Sequence, residues 1–194
     1  MSFAKLALLL PILASAADLP VLRTEPIGGG SVFFVKNTSS VPLTGYLIEL
    51  VGYPGSSYSL YQDEVIGEPI QPGAEKRIQV TNMTAGAVPD YMKLTAAIFA
   101  DGSTAGEKAQ QFIDRRRTIL ETTRELISRI GKGATKTDLQ QWADSLQPVG
   151  KAKQSVNQAA TRALVSETAA NFGPDTLPHL RAAEKALAAT RPPL

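Results

Sequence analysis

Few side chains in this sequence are equipped for chemistry. It contains no cysteine and a single histidine, His179. Disulfides, cysteine nucleophiles, a cysteine lipid anchor and the common zinc constellations are therefore excluded. A Ser-His-Asp triad would have to use His179, which lies beside Pro178 in a terminal helical segment, and no G-x-S-x-G elbow occurs. Asp63, Glu64 and Glu68 offer oxygen ligands of the kind calcium takes, but their spacing matches no known loop, so a solvated acidic loop is expected. Gly28-Gly29-Gly30-Ser31 is not followed by Lys-Ser/Thr and leads into a strand, which makes it a turn and not a phosphate cradle. Carboxylates alone suffice to hydrolyse a glycan, so that chemistry stays open. No catalytic set, cofactor or metal is expected.

Two groups could serve recognition. Arg115-Arg116-Arg117 is the densest basic feature, supported by Arg124, Arg129 and Lys132. Successive helical positions lie about 100° apart, so the three arginines fan round a helix; their candidate role is contact with a polyanion such as an anionic lipid or cell-wall polymer. The chain also has five tyrosines. Tyr53 and Tyr58 flank Pro54-Gly55-Ser56-Ser57, a composition often used for recognition, so Tyr53, Ser56, Tyr58 and Tyr61 form a candidate recognition loop. The alternative is that the rings cover a sheet edge. Asn37-Thr38-Ser39 and Asn82-Met83-Thr84 are formal glycosylation sequons, expected on exposed turns.

The start of the chain sets the compartment. After Lys5 comes the apolar run Leu6–Ala14, then Ser15-Ala16-Ala17. One positive charge, a short apolar core and an A-x-A site are the parts of a secretory signal peptide, with cleavage expected after Ala16 or Ala17. The run is too short for a bilayer, which needs about 20 apolar residues, and no later segment is long and apolar enough. Residues 1–17 are thus expected to be removed, and the remainder to be secreted or periplasmic. Nucleic acid is not an expected partner for such a protein.

Composition changes near Gly106. Residues 18–106 carry five basic and nine acidic residues, net −4, and residues 107–194 carry fourteen and nine, net +5. Opposite signs favour docking of the halves, or an acidic partner for the second. The first half reads as short strands. Ser31–Asn37, Thr44–Val51 (with Tyr46, Ile48 and Leu50 on one face), Ser57–Tyr61, Glu75–Val80 and Met92–Ala100 are rich in β formers or alternate. Between them lie Thr38–Pro42, Gly52–Ser56, Ile70–Ala74 and Asp101-Gly102, all turn chemistry. Such spacing predicts a two-sheet sandwich over 18–105.

Strand, then Asn37-Thr38-Ser39-Ser40-Val41-Pro42-Leu43, then strand, with Ile70-Gln71-Pro72-Gly73-Ala74-Glu75 before a later one, resembles the immunoglobulin-like β-sandwich modules of exported bacterial proteins. The resemblance covers about 80 residues and rests on turn chemistry; it implies an antiparallel Ig-like sandwich. Cysteines are absent, this half has no tryptophan, and Ser103-Thr104-Ala105-Gly106 leads towards a helix where a final strand would stand.

Beyond residue 106 the period becomes helical. Thr104–Glu107 fits a capping box, and Phe112/Ile113, Ile119/Leu120 and Leu126/Ile127 recur at seven-residue spacing up to Gly131-Lys132. This helix is read as a bundle helix, with weak self-association through 107–130 as the alternative. Leu139, Trp142, Ala143 and Leu146 mark a second helix capped by Thr135 or Thr137, residues 151–171 a third, and residues 177–190 a fourth, with Arg191–Leu194 frayed. The fold class is α+β: an N-terminal sandwich, then a helical region of three or four helices over 106–194. The expected function is non-catalytic binding or organisation in the cell envelope or outside the cell. The partner is an envelope protein or polymer that the sequence leaves unspecified. A carboxylate-dependent glycan hydrolase and a self-associating helical scaffold are the alternatives.

Overall fold

The computed structural model describes residues 18–81, 88–148 and 154–194. The expected signal peptide with its cleavage site, the second sequon at Asn82 and the expected start of the third helix lie outside the described residues.

The protein is α+β: two antiparallel sheets, then four helices. One sheet has the order β1 (Val21–Ile27), β2 (Gly30–Lys36), β5 (Glu75–Thr81). The other runs β4 (Ser59–Asp63), β3 (Leu43–Leu50), β6 (Met92–Phe99), β7 (Thr104–Ala105). The alternation read from the sequence sets the faces. Phe33 and Val35 of the first sheet and Tyr46, Ile48, Ala97 and Phe99 of the second are buried in one shared core, with Ile78 and Val80 of β5 packed against it. The outer positions of β3 and β6, which alternation alone would expose, are also buried: Leu47, Ala96 and Ile98 lie under Phe112 and Ile113 of α1 (Ala109–Gly131).

Several expectations are corrected. β1 alternates half-buried Leu22 and Thr24 with exposed Val21, Arg23 and Glu25, and Leu22 alone packs on the core, too weak a pattern for the sequence to mark as a strand. A final strand does exist. Ala97 and Ile98 pair with Ala105 and Thr104, so Thr104 is a strand residue and cannot cap a helix. Gly106 then turns the chain with φ +88°, and a Cβ there would lie 2.3 Å from the Thr95 carbonyl oxygen, so only glycine fits. α1 starts at Ala109 with no side-chain cap; instead the Lys108 N–H donates to the Thr95 carbonyl at 3.0 Å, tying the helix entrance to the sheet.

α1 is 23 residues long, about 35 Å at 1.5 Å per residue, and belongs to two cores. Its first turns sit on the sheet. Its last turns place Leu126 among Leu139 and Ala143 of α2 (Lys136–Ser145), Val165 and Ala169 of α3 (Val156–Ala170) and Leu180 of α4 (Thr176–Ala188). Thr135 and Asp138 form the capping box of α2; Ser155 and Gln158 form one for α3 that the sequence reading had not found. The chain end is not frayed. Leu194 packs on the cluster of Leu47, Ile98 and Phe112, and Arg191 and Pro192 lie against Gly102. No helix among the described residues is long and apolar enough to cross a membrane.

Candidate functional site

The polar residues with most chemical potential gather where α1 meets the second sheet. Gly45 of β3 is what lets the helix come close: a Cβ there would lie 2.8 Å from the Arg116 guanidinium and 2.9 Å from the Phe112 ring. Arg116, 1% exposed, donates from Nε to Asp63 Oδ2 and from Nη2 to Asp63 Oδ1, both at 2.9 Å, and reaches the Thr44 carbonyl at 3.2 Å. The pair is bidentate and its cation is fully withdrawn from water.

A second ionic lock lies beside it. The Glu49 carboxylate is buried and accepts hydrogen bonds from Ser59 at 3.0 Å, Thr95 at 2.6 Å and Lys108 Nζ at 2.9 Å. Burial pushes this carboxyl up; the three hydrogen bonds and the Lys108 charge outweigh it and hold Glu49 below the usual carboxylate range. Both locks join the acidic half to the basic half.

The arginine triplet fans as helical geometry requires, and this separates the three roles. Arg116 is buried in its ion pair and cannot meet a polyanion, which corrects the expectation of a three-arginine contact. Arg115 stacks its guanidinium 4.6 Å from the centroid of the Tyr61 ring, and Arg117 pairs with Asp114 at 2.9 Å. The acidic loop is divided too. Asp63 serves Arg116, and Glu64, almost wholly buried, accepts from Lys76. Burial first, then the Glu64 charge, push the Tyr46 phenol far above the ordinary tyrosine range, and its hydroxyl has no partner among the described residues.

The tyrosine segment is likewise divided. Tyr58 stands 6.5 Å from Phe33 and packs on the sandwich core. Tyr61 lies 5.7 Å from Phe112, and its hydroxyl accepts from Gln111 Nε2 at 2.6 Å. Those two rings are packing elements. Tyr53 makes an edge contact with Tyr91 at 5.3 Å, and Pro54 to Ser57 are exposed, so Tyr53 and Ser56 alone of the four stay on the loop surface. Asn37 is also corrected. It is fully buried: its amide donates to the Val41 and Ile70 carbonyls, both at 2.8 Å, and its carbonyl accepts from the Ser39 N–H at 3.0 Å. With both amide hydrogens engaged, it is a turn staple and not an exposed sequon.

The feature the sequence reading missed is a groove of about 560 Å³ between α3 and α4, closed on one side by the loop after β4. Leu164 and Leu180 line it, Ile66 stands at its edge, and Glu167, Asp175 and His179 lie on its rim. Apart from Ile66 its residues come from one run, Leu164 to Leu180, whose two helices must fold back on each other before a groove exists, which is why no local motif announces it. The one local signal is the apolar pair Val65-Ile66 set amid Asp63, Glu64, Gly67 and Glu68. His179 is exposed on α4, as its sequence context suggested. Among the described residues no group of three His, Cys, Asp or Glu could hold a metal ion. Comparison of the chain with protein-family models, curated proteins and solved structures returns no match.

Proposed function

We propose that this is an exported, non-catalytic binding protein of the cell envelope or extracellular space, in which an Ig-like sandwich rigidly presents a helical region to its partner. The observation that carries this reading is how the ionisable groups are spent. Glu49 and Glu64, which are buried, and Asp63, which is partly exposed, each face a cation, so none is free to exchange a proton with a substrate. Glu167 and Asp175, which line the α3–α4 groove, are exposed, without the water exclusion in which an acid–base pair works.

Two further features support the picture. The first, second and fifth strands share one sheet and the third, sixth and seventh share the other, the distribution of an Ig sandwich with its fourth strand moved across. The apolar positions of α1 are used within the chain, and none of the large exposed apolar residues lies on it, so the scaffold reading through 107–130 loses its surface. Residues 1–17 supply the export signal.

The test is turnover. The processed protein is incubated with envelope glycans and peptidoglycan, beside Glu167→Gln and Asp175→Asn forms, and released reducing ends are counted. No release is expected; release by the parent that vanishes with either substitution establishes a hydrolase and removes the binding reading.

A further inference from the structure

We propose that the α3–α4 groove is a docking site for a basic, apolar peptide segment of a protein partner. The inference rests on the binding reading above and gives that partner its chemistry. Ile66 is 62% exposed, the most exposed large apolar residue described, and it borders a groove of about 560 Å³ whose other apolar lining is Leu164, Pro174 and the largely buried Leu180. A lone exposed aliphatic residue is ordinary; one set beside a concavity lined by two leucines is a contact surface.

The charges on the rim say what fits. Residues 107–194 carry net +5, yet no lysine or arginine lines this groove, while Glu167 and Asp175 do. Neither carboxylate forms an ion pair among the described residues, whereas Asp114, Glu125 and Glu184 elsewhere on the helices are paired with arginines. Basic residues are thus absent from the lining of this groove in an otherwise basic region, whereas Arg191 lines a second, smaller pocket at the end of α4. That arrangement repels acidic ligands and attracts a local positive charge. An open groove between two helices suits a segment that lays an apolar side chain on the floor and a Lys or Arg at the rim. A buried small molecule would need a site closed over most of its surface.

Fluorescence anisotropy tests this on the processed full chain with three labelled peptides of equal length: mixed Leu/Lys, mixed Leu/Glu and mixed Ser/Lys. The chain is itself net positive, so its overall field does not draw in a cationic probe. Leu/Lys is expected to bind, and the other two to bind much more weakly. The Glu167→Gln/Asp175→Asn double variant should weaken Leu/Lys binding about 2- to 10-fold and flatten its salt dependence, the effect of losing two exposed ion pairs. Ile66→Ser should weaken binding without altering the salt slope. All three substitutions are at exposed positions, so folding is retained. Absence of Leu/Lys binding, equal binding of Leu/Glu, or unchanged affinity in these variants overturns the proposal. Glycan turnover is measured separately, so loss of the docking site and loss of the non-catalytic reading give different results.

Discussion

Asp63→Asn takes the carboxylate away from a guanidinium whose other acceptor is the Thr44 carbonyl. The substitution keeps shape and leaves Oδ1 to accept from the Val65 N–H, as it does at 3.2 Å in the parent. What it removes is the charge facing Arg116, which is 1% exposed. Breaking a buried ion pair from one side costs about 3–5 kcal/mol, because the remaining charge is stranded. The Asp63 side chain is 23% exposed, so some water reaches the gap, and about 3 kcal/mol is the expected loss. The reverse cut is gentler. Arg116→Met keeps an unbranched stem over Phe112 and Gly45 and leaves Asp63 partly hydrated, for about 1 kcal/mol. Urea unfolding followed by circular dichroism measures both. In thermal scans the same values correspond to about 6–12 °C for Asp63→Asn and about 2–4 °C for Arg116→Met. If Arg116→Met proves as destabilising as Asp63→Asn, the argument that the stranded cation dominates is refuted.

Glu49 predicts a pH dependence. Its folded carboxyl is held below the usual range, so the stability it contributes is present above the unfolded value of about 4.3 and is lost as pH falls through the lower folded value. The stability difference between the parent and Glu49→Gln should therefore be constant near neutrality and shrink below about pH 4.3; a difference that grows on acidification contradicts the lock. Asn37→Ala leaves the Val41 and Ile70 carbonyls without their side-chain donor and should cost about 2–4 kcal/mol in urea titration, far more than a solvated turn residue would. In a glycosylating host, mass spectrometry of the folded protein should find Asn37 unmodified.

β2 to β6 and the four helices could be read from the sequence because their signals are local. Tyr46, Ile48 and Leu50 alternate, Ile78 and Val80 alternate, and Thr135 and Asp138 sit at capping distance, so a window of a few residues holds the whole argument. Errors fall where a longer-range pairing overrode a local preference. Thr104 fits a cap by spacing, yet the two-residue ladder to Ile98 claims it for β7. Arg191 to Leu194 lack any periodic signal, and the sheet they fold against is supplied from about a hundred residues earlier in the chain.

Residue types and their order determined the absence of thiol chemistry, the opposite charges of the two halves and the change from twofold to helical period. Only the tertiary structure decided which arginine of the triplet is buried, which tyrosines are core and where a groove opens. Asp63 and Arg116 are 53 residues apart, and Ile66 is about a hundred residues from the helices it borders. A side chain's chemistry is fixed by its type, but its solvent and its partner are fixed by whatever distant segment folding brings beside it.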